Sequence, residues 1–505
     1  MNSKKTEIPL TIGALIFVVV SLSLNAYILF HQSLRLDEAQ SLWAATKSVP
    51  GIINYIAQDV HVPLYEVLLH FWIQIFGNSV ITARTLSFMF FILTIPVLYL
   101  LALQSSDKKI ALLSIVLFSL SPFIMWYSSE ARMYSLLTFI ACINHIYFLR
   151  VLRSNGKKGI VGYFFSTLFG LYTHYFFMFL IATQSIFLML QFFLEYHQEF
   201  LFQNGLVHFL KSKVEILYAY GIALACAFLL FVPWVVYFQS QGLAANTQPL
   251  IPPPTTFNLF QTMANFLFGF QTQYIQSILV SLWPLVLVPI FFLFTKRRQI
   301  QLKNLLYYVC VSFVPIILVY SVSIIKPIYL SRYLIFVTPT LFIVLSWGII
   351  NFSKQAAGVL ITTFSLTMFG FLLFQNISNT TPVKENYRQV TTYLTQHASS
   401  QDIIAVSAPF TIYPIEYYYT GPASIETIPE WNVYSSGAIP PFSSKNLSQQ
   451  IKNYTHDYNN VYIVLSYDQG YQKDIVQYLD THYQRKKLIT FSPGLELREY
   501  KLRYK

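Results

Sequence analysis

Charged residues are scarce in this chain of 505 residues: Asp, Glu, Lys and Arg make up 11% of it, whereas hydrophobic residues make up 55%. Soluble globular domains carry about 25% charged residues, so the composition excludes an ordinary water-soluble enzyme. It predicts a mostly α-helical membrane protein that crosses the bilayer several times.

The chain also has few cysteines, and its C-terminal part has no glycine-rich phosphate loop. The three cysteines, Cys142, Cys226 and Cys310, lie far apart within apolar runs and show no CxxC spacing, so we expect neither a disulfide framework nor a zinc site. No glycine-rich phosphate loop marks the C-terminal part of the chain as a nucleotide-binding domain.

Almost all of the formal net charge of +12 lies in the apolar part of the chain, before Ser378. After Ser378, twelve Lys and Arg residues stand against eleven acidic ones, whereas the preceding part holds 21 basic and ten acidic residues. Basic loops between spans set the topology of membrane proteins and face anionic lipid. We therefore expect membrane lipid, and no nucleic acid, as the partner of this charge.

Eleven apolar runs approach or reach the length of about 20 residues that a transmembrane helix needs. The first follows Lys4 and Lys5 and lacks a clear cleavage site, so we interpret it as an uncleaved span. The fifth and sixth runs are short, and a different division of them would change the number of spans by one or two. The runs cover residues 8–30, 81–103, 110–126, 134–149, 160–172, 176–194, 216–238, 278–294, 305–325, 333–350 and 359–374.

The distribution of basic residues predicts the orientation. With the N-terminus in the cytoplasm, the cytoplasmic segments hold fifteen Lys and Arg residues and the outer loops hold six, which agrees with the positive-inside rule. The outer side then carries the loops 31–80 and 239–276. In the second of these, the apolar stretch 257–270 follows three prolines and predicts a helix in the membrane interface. We expect a multi-pass protein of the plasma (inner) membrane.

Polar residues that can carry chemistry collect in the outer loops. Asp37 and Glu38 directly follow the first span, and acids at membrane depth are costly enough to indicate function. Adjacent loop acids are more often solvated or capping, and neighbours on a helix do not share a face, so one carboxylate would enter a site while the other orients or pairs. The further clusters are His61 and Tyr65 in the first loop, Glu130, Arg132 and Tyr134 around the second, His174 in the third, and Lys326 and Arg332 in the fifth.

Each cluster also fits a simpler interpretation when it is taken alone. His61 would fit a loop turn, Glu130 and Arg132 would fit a boundary ion pair, and Lys326 and Arg332 would fit lipid headgroup anchors. Five clusters on one side of the membrane favour a common site.

The order of these motifs resembles the pattern of the family 39 glycosyltransferases, membrane enzymes of the GT-C fold that include bacterial protein mannosyltransferase-like and aminoarabinose transferase-like proteins. The resemblance covers about the first 350 residues. Val62 departs from it, because many relatives have a second proline there. The matching segments are 35–43 with its Asp-Glu pair, 61–65, Arg84, 127–134, 173–175 and 331–333.

The resemblance implies an inverting transfer of a hexose or pentose from a polyprenyl-phosphate-linked donor to a lipid, glycan or protein acceptor on the outer face. It assigns the catalytic base to Asp37, although spacing alone would also allow Glu38. An acceptor hydroxyl needs a base, and a phosphate leaving group needs positive charge, best supplied by arginine. The implied roles are catalytic for Asp37, Glu38 and Glu130, phosphate-binding for Arg132, Lys326 and Arg332, and sugar- or acceptor-binding for His61, Tyr65, Tyr134 and His174.

Some members of the family bind a divalent metal near the first outer loop. The resemblance therefore leaves a divalent metal open as a cofactor, although no ligand spacing in this sequence points to one.

The tail from residue 379 to 505 changes character. Residues 384–397 predict an amphipathic helix, 402–407 and 461–466 predict buried strands, and 474–479 and 488–491 predict a further helix and strand. We expect a small extracytoplasmic α/β domain that follows a transmembrane catalytic domain at 1–378. It would bind the acceptor or cap the site.

Two other functional classes fit the composition. A transporter or lipid flippase would have charged residues inside its spans and repeated halves; the sequence shows no charge in the core of any predicted span and no obvious internal repeat. A membrane acyltransferase or oligosaccharide ligase would need a histidine-centred site inside the membrane; His145 lies in a span, but the sequence offers it no partner.

Overall fold

The computed structural model describes residues 2–153, 156–202, 206–241, 251–270, 278, 280–281, 283–288, 299–352, 354–377, 385–432 and 439–502. Helices dominate up to residue 377, and a small sheet domain follows. In chain order the helices of the first part are α1 (Asn2–His31), α2 (Leu36–Ala45), α3 (Val49–Ala57), α4 (Leu64–Phe76), α5 (Val80–Leu103), α6 (Lys108–Leu120), α7 (Pro122–Ser128), α8 (Tyr134–Leu152), α9 (Gly156–Thr173), α10 (Phe177–Phe202), α11 (Leu206–Ser240), α12 (Thr256–Phe268), α13 (Gln299–Ile325), α14 (Thr338–Phe352) and α15 (Lys354–Ile377).

The long apolar helices make this a multi-pass membrane protein. Within the described residues, seven helices are long and apolar enough to cross a bilayer, or eight if α6 and α7, which meet at a bend of 64°, form one span. Ten of the eleven apolar runs lie in helices, whereas the run 278–294 is described only in part, at 278, 280–281 and 283–288. The count of eleven spans therefore stays a prediction.

The first loop, 31–80, is itself mostly helical. Its helices begin and end at local signals: the backbone N–H of Arg35 donates to Glu38 on the first turn of α2, and the Ser48 side chain caps α3. Gly77 ends α4 with a φ of +93°, a conformation that side chains resist. Three short helices thus form this loop, with Asp37 on the first of them and His61 between the second and the third.

The C-terminal part forms a small α/β domain, as the sequence predicts. Its five-stranded sheet has the order β2-β1-β3-β5-β4, in which β1 pairs in parallel with β2 and β3, and β5 is antiparallel to β3 and β4. The predicted domain boundary at residue 378 lies outside the described residues. The elements are α16 (Tyr387–His397), β1 (Asp402–Ser407), α17 (Ile412–Tyr418), β2 (Ser424–Thr427), α18 (Ser444–Asp457), β3 (Asn460–Ser466), α19 (Gln472–His482), β4 (Gln484–Ser492) and β5 (Leu495–Lys501).

Helix α17 joins this domain to the first loop. The Tyr413 hydroxyl lies 2.6 Å from that of Tyr55 on α3, and its ring packs edge-on against Trp43 of α2 at 5.1 Å between centroids. The Tyr418 hydroxyl accepts a hydrogen bond of 3.0 Å from the backbone N–H of Leu34. The C-terminal domain therefore packs directly on the helix that carries Asp37.

Candidate active site

Asp37 lies on the first turn of α2 with its side chain 28% exposed, and positive charge surrounds it. An Nη1–Oδ2 distance of 3.5 Å joins it to Arg332, and Arg132 donates to its backbone carbonyl at 3.3 Å. Burial alone would raise the pKa of Asp37, but the charges of Arg332, Arg132 and Arg35 outweigh it and hold the pKa at about 2. The carboxylate is therefore ionised in the resting protein.

Glu38 points away from Asp37 into the protein and is fully buried. Its two carboxylate oxygens accept from Nε and Nη2 of Arg84, both at 2.7 Å, and it also accepts from the backbone N–H groups of Arg35 and Ala131. Arg84 in addition donates to the backbone carbonyls of Leu29, Gln32 and Ser33. The Glu38 carboxylate thus joins α2 to α5 through Arg84 and to the loop at Ala131, and Arg84 extends this link to the end of α1.

Arg132 is held by a chain of side chains from the first loop. Its Nη1 donates to Ser41 at 2.9 Å, and its Nη2 lies 2.6 Å from Nε2 of His61. Because arginine only donates, Nε2 of His61 accepts, and Nδ1 carries the proton that is donated to Asp59 at 2.9 Å. Asp59 accepts a further hydrogen bond from Gln40 at 3.0 Å. Asp59, His61 and Arg132 thus form a line that ends beside Asp37.

Arg35 connects the two parts of the chain at this site. Its Nη1 lies 3.4 Å from Oε1 of Glu130, and its guanidinium stands over the ring of Trp126 at 5.1 Å. Its Nε lies 3.9 Å from Glu385, which accepts a hydrogen bond from Tyr467 at 2.5 Å. Glu130, the buried second acid of the predicted site, is therefore an ion-pair partner of Arg35.

The predicted sugar-binding residues occupy different surroundings. Tyr65 is fully buried, and its hydroxyl lies 2.7 Å from that of Ser87, which donates to the carbonyl of Arg132. Its hydroxyl therefore supports the Arg132 backbone from behind. Tyr134 lies at the start of α8, and its ring centroid is 6.5 Å from that of His174.

His174 packs between Tyr134 and Tyr333 and is neutral. Burial, helped by the nearby charges of Arg132 and Arg332, lowers its pKa to about 3. Its Nδ1 accepts from the backbone N–H of Phe176 at 3.1 Å, so the neutral ring carries its proton on Nε2 as a hydrogen-bond donor.

Lys326 is the predicted residue that stays apart. It follows α13 directly and is exposed, and among the described residues no ion pair joins it to Asp37. The other predicted residues, from Asp37 to Arg332, meet at the same end of the bundle.

Solved structures share this architecture. ArnT from Cupriavidus metallidurans in the apo state superposes with a TM-score of 0.64 and 11% identity over 96% of this chain and 97% of that one. ArnT bound to undecaprenyl phosphate gives 0.58 and 10% identity over 98% of each chain. The chain has the GT-C fold.

A second GT-C structure is more distant. The archaeal oligosaccharyltransferase AglB from Archaeoglobus fulgidus, in complex with an inhibitory peptide and a dolichol-phosphate, gives a TM-score of 0.50 and 11% identity over 96% of this chain and 74% of that one. No protein-family model and no curated protein sequence matches the chain.

The sequence alone gives no role to several residues that lie in this candidate site. Asp59 stands two residues before His61, a spacing that gives a weak signal for an orienting acid. Arg84 belongs to the family pattern, but only the structure pairs it with Glu38. Glu385 gives no local signal, because it lies far along the chain from Arg35.

A divalent metal does not fit the acids of this site. Three guanidinium groups face Asp37, and Glu38 is engaged by Arg84 and backbone donors, so a cation would meet repulsion and few open ligands. Within the described part of the chain, no three His, Cys, Asp or Glu side chains are grouped to hold a metal ion.

The structure also gives a partner to His145, the histidine that a membrane acyltransferase or oligosaccharide ligase would need. His145, which the sequence left without a partner, lies 2.7 Å through Nδ1 from the hydroxyl of Tyr307. Both side chains are buried in the helix bundle, and Gln184 donates to the same hydroxyl at 3.4 Å. The contact is a buried polar network between helices, far along α8 from Tyr134.

Proposed function

We propose that this chain is an inverting glycosyltransferase of the GT-C fold, which moves a sugar from a polyprenyl-phosphate-linked donor to a lipid, glycan or protein acceptor on the outer face of the plasma membrane. The observation that carries the proposal is the partly exposed Asp37 carboxylate with Arg332 and Arg132 beside it. A base and a phosphate-binding pair at one end of a membrane bundle are the groups that this transfer needs.

The reaction follows from these groups. The acceptor oxygen attacks the anomeric carbon from the face opposite the phosphate, the new carbon–oxygen bond forms as the carbon–oxygen bond to phosphate breaks, and the hydroxyl proton passes to Asp37. The lipid phosphate leaves as an anion, so it needs cations rather than a proton. Arg332 and Arg132 supply them, with Arg332 the more accessible of the two at 29% exposure.

Donor binding would also activate the base. In the resting protein the arginines hold the pKa of Asp37 at about 2, which makes it a weak base. A phosphate that engages Arg332 removes the largest of these favourable charges from the carboxylate. The pKa of Asp37 then rises toward its ordinary value, and proton transfer becomes efficient only when donor is bound.

The neighbours in fold support the class of donor. One ArnT structure is bound to undecaprenyl phosphate and the AglB structure to a dolichol-phosphate. Both ligands are polyprenyl phosphates, which matches the donor that the sequence resemblance implies. We assign Glu38 to positioning and Asp37 to the base, because only Asp37 has exposed surface.

The donor class is tested by direct transfer. Purified protein in liposomes is incubated with radiolabelled polyprenyl-phosphate sugars and with nucleotide sugars, together with membranes as a source of acceptor. We expect transfer of label from a polyprenyl-phosphate sugar alone. Transfer from nucleotide sugars, or transfer from neither donor while labelled lipid crosses the bilayer, would replace the proposal with a different donor class or with a flippase.

A further inference from the structure

A groove separate from the Asp37 site runs along the side of the helix bundle. It is a cavity of about 840 Å³ between α4, α5, α8 and α9. On α8 it is lined by Leu136, Ile143, Tyr147 and Arg150, whose spacing places them on one helical face. At a rise of 1.5 Å per residue, the groove follows α8 for about 21 Å, which is most of the thickness of a bilayer core.

The groove is apolar along its length and cationic at one end. Leu64, Phe90 and Phe165 line its walls, and Arg150 is the one charged residue among the lining residues that the structure describes. The side chain of Arg150 is exposed, and its guanidinium stands 5.1 Å from the ring centroid of Tyr147. An apolar channel that ends in a fixed cation matches the shape and charge of one phospholipid chain with its phosphate.

Gly162 on α9 forms the floor beneath Tyr147. A Cβ atom at this position would come within 2.3 Å of the Tyr147 ring, so only glycine lets the ring pack directly against α9. This close packing places the Tyr147 ring beside Arg150 at the cationic end of the groove.

We propose that this groove binds one anionic phospholipid of the cytoplasmic leaflet, with its phosphate at Arg150 and an acyl chain along α8. The charge pattern that orients the chain places Arg150 on the cytoplasmic side. Basic pockets between helices on that side bind anionic headgroups. The opposite polarity, a polyprenyl donor with its phosphate at the Asp37 end, would leave Arg150 facing hydrocarbon.

The bound lipid would stabilise the helices whose ends carry residues of the candidate active site. Helix α8 begins at Tyr134, α9 ends directly before His174, and α4 begins shortly after His61. A chain that fills the groove packs against all three helices at once. Its binding therefore favours the arrangement in which these three residues meet.

The test is the thermal unfolding of purified full-length protein in micelles, with phosphatidylglycerol or phosphatidylcholine added. We expect phosphatidylglycerol, and not phosphatidylcholine, to raise the Tm of the wild type, and Arg150→Gln to lose this increase. Arg153→Gln is the matched control, because it removes the same charge from the same end of α8. Arg153 does not line the groove; its side chain donates to the Gln104 carbonyl at 2.8 Å.

Two results overturn the proposal. One is an equal increase in Tm with both lipids, which shows an unselective apolar groove; the other is an increase in Tm that Arg150→Gln retains.

If Arg150→Gln does not fold, Ile143→Trp takes its place, since the indole fills the groove and leaves Arg150 intact. Loss of the phosphatidylglycerol effect in Ile143→Trp supports the proposal, and its retention rejects the groove as the site. Displacement of phosphatidylglycerol by added undecaprenyl phosphate would assign the groove to the donor chain instead.

Discussion

Two neighbouring acids have opposite environments in this protein. Asp37 is partly exposed among arginines, whereas Glu38 is fully buried in a two-point ion pair with Arg84. The sequence predicts that helical neighbours diverge, but it cannot tell which of the two enters the site, because that depends on Arg84 from another helix. The division of labour follows from the tertiary contacts.

The buried pair leads to a stability prediction. Glu38→Gln leaves the fully buried Arg84 guanidinium without its countercharge, and breaking a buried pair on one side costs about 3–5 kcal/mol. We expect a markedly lower Tm in detergent for Glu38→Gln, whereas Asp37→Asn, which removes a partly exposed carboxylate, lowers the Tm less. An unaltered Tm for Glu38→Gln would show that the pair does not hold the site together.

The depressed pKa of Asp37 leads to a pH prediction. Burial raises this pKa and Arg332 is the first of the charges that lower it, so Arg332→Gln moves the pKa upward from about 2. A carboxylate with a lowered pKa stays ionised until the pH falls toward that value, and its electrostatic contribution to stability is lost only there.

The acid limb of the kcat/KM profile therefore shifts to higher pH in Arg332→Gln, in addition to any loss of donor affinity. Lys326→Gln, which removes a cation without contact to Asp37, serves as the control and leaves the limb in place. Coincident limbs for the wild type and Arg332→Gln would contradict the electrostatic account.

At the scale of elements, the sequence predicts a first loop with polar clusters at 31–80, and the structure shows that this loop consists mostly of three helices. Its line of Asp59, His61 and Arg132 could be predicted only in part, because His61 and Arg132 belong to motifs but their contact joins segments 71 residues apart. Helix α17, which packs on α2, was not predicted, since its short and largely apolar sequence carries little helical signal.

The line of residues predicts a positioning role for Asp59. Asp59→Asn replaces the charged acceptor of His61 Nδ1, and hydrogen bonds to charged groups contribute about 1.5–3 kcal/mol. If this energy aligns Arg132 for the transition state, kcat/KM falls about ten- to a hundredfold. The measurement compares kcat and KM for Asp59→Asn and Asp59→Glu, and the glutamate variant recovers part of the activity. A stability loss without a change in kcat would mean that the line is only structural.

At the scale of the whole molecule, the sequence predicts a multi-pass helical protein with a small α/β domain, and the structure confirms both. The order of motifs along the chain resembles that of the family 39 glycosyltransferases and so implies the GT-C fold, which the similarity to solved structures supports. The docking of the two parts could not be predicted. It depends on the ion pair between Arg35 and Glu385 and on the tyrosine contacts of α17, which join residues some 350 positions apart and leave no periodic pattern.

The central claim is that Asp37 takes the proton of the acceptor while the arginines hold a lipid phosphate. The most direct measurement is single-turnover transfer from a preloaded polyprenyl-phosphate sugar by the wild type and Asp37→Asn, with donor binding measured in parallel. The account predicts that Asp37→Asn binds the donor and transfers the sugar at least about a hundredfold more slowly, as loss of a general base requires. Transfer at the wild-type rate, with donor bound, would contradict it.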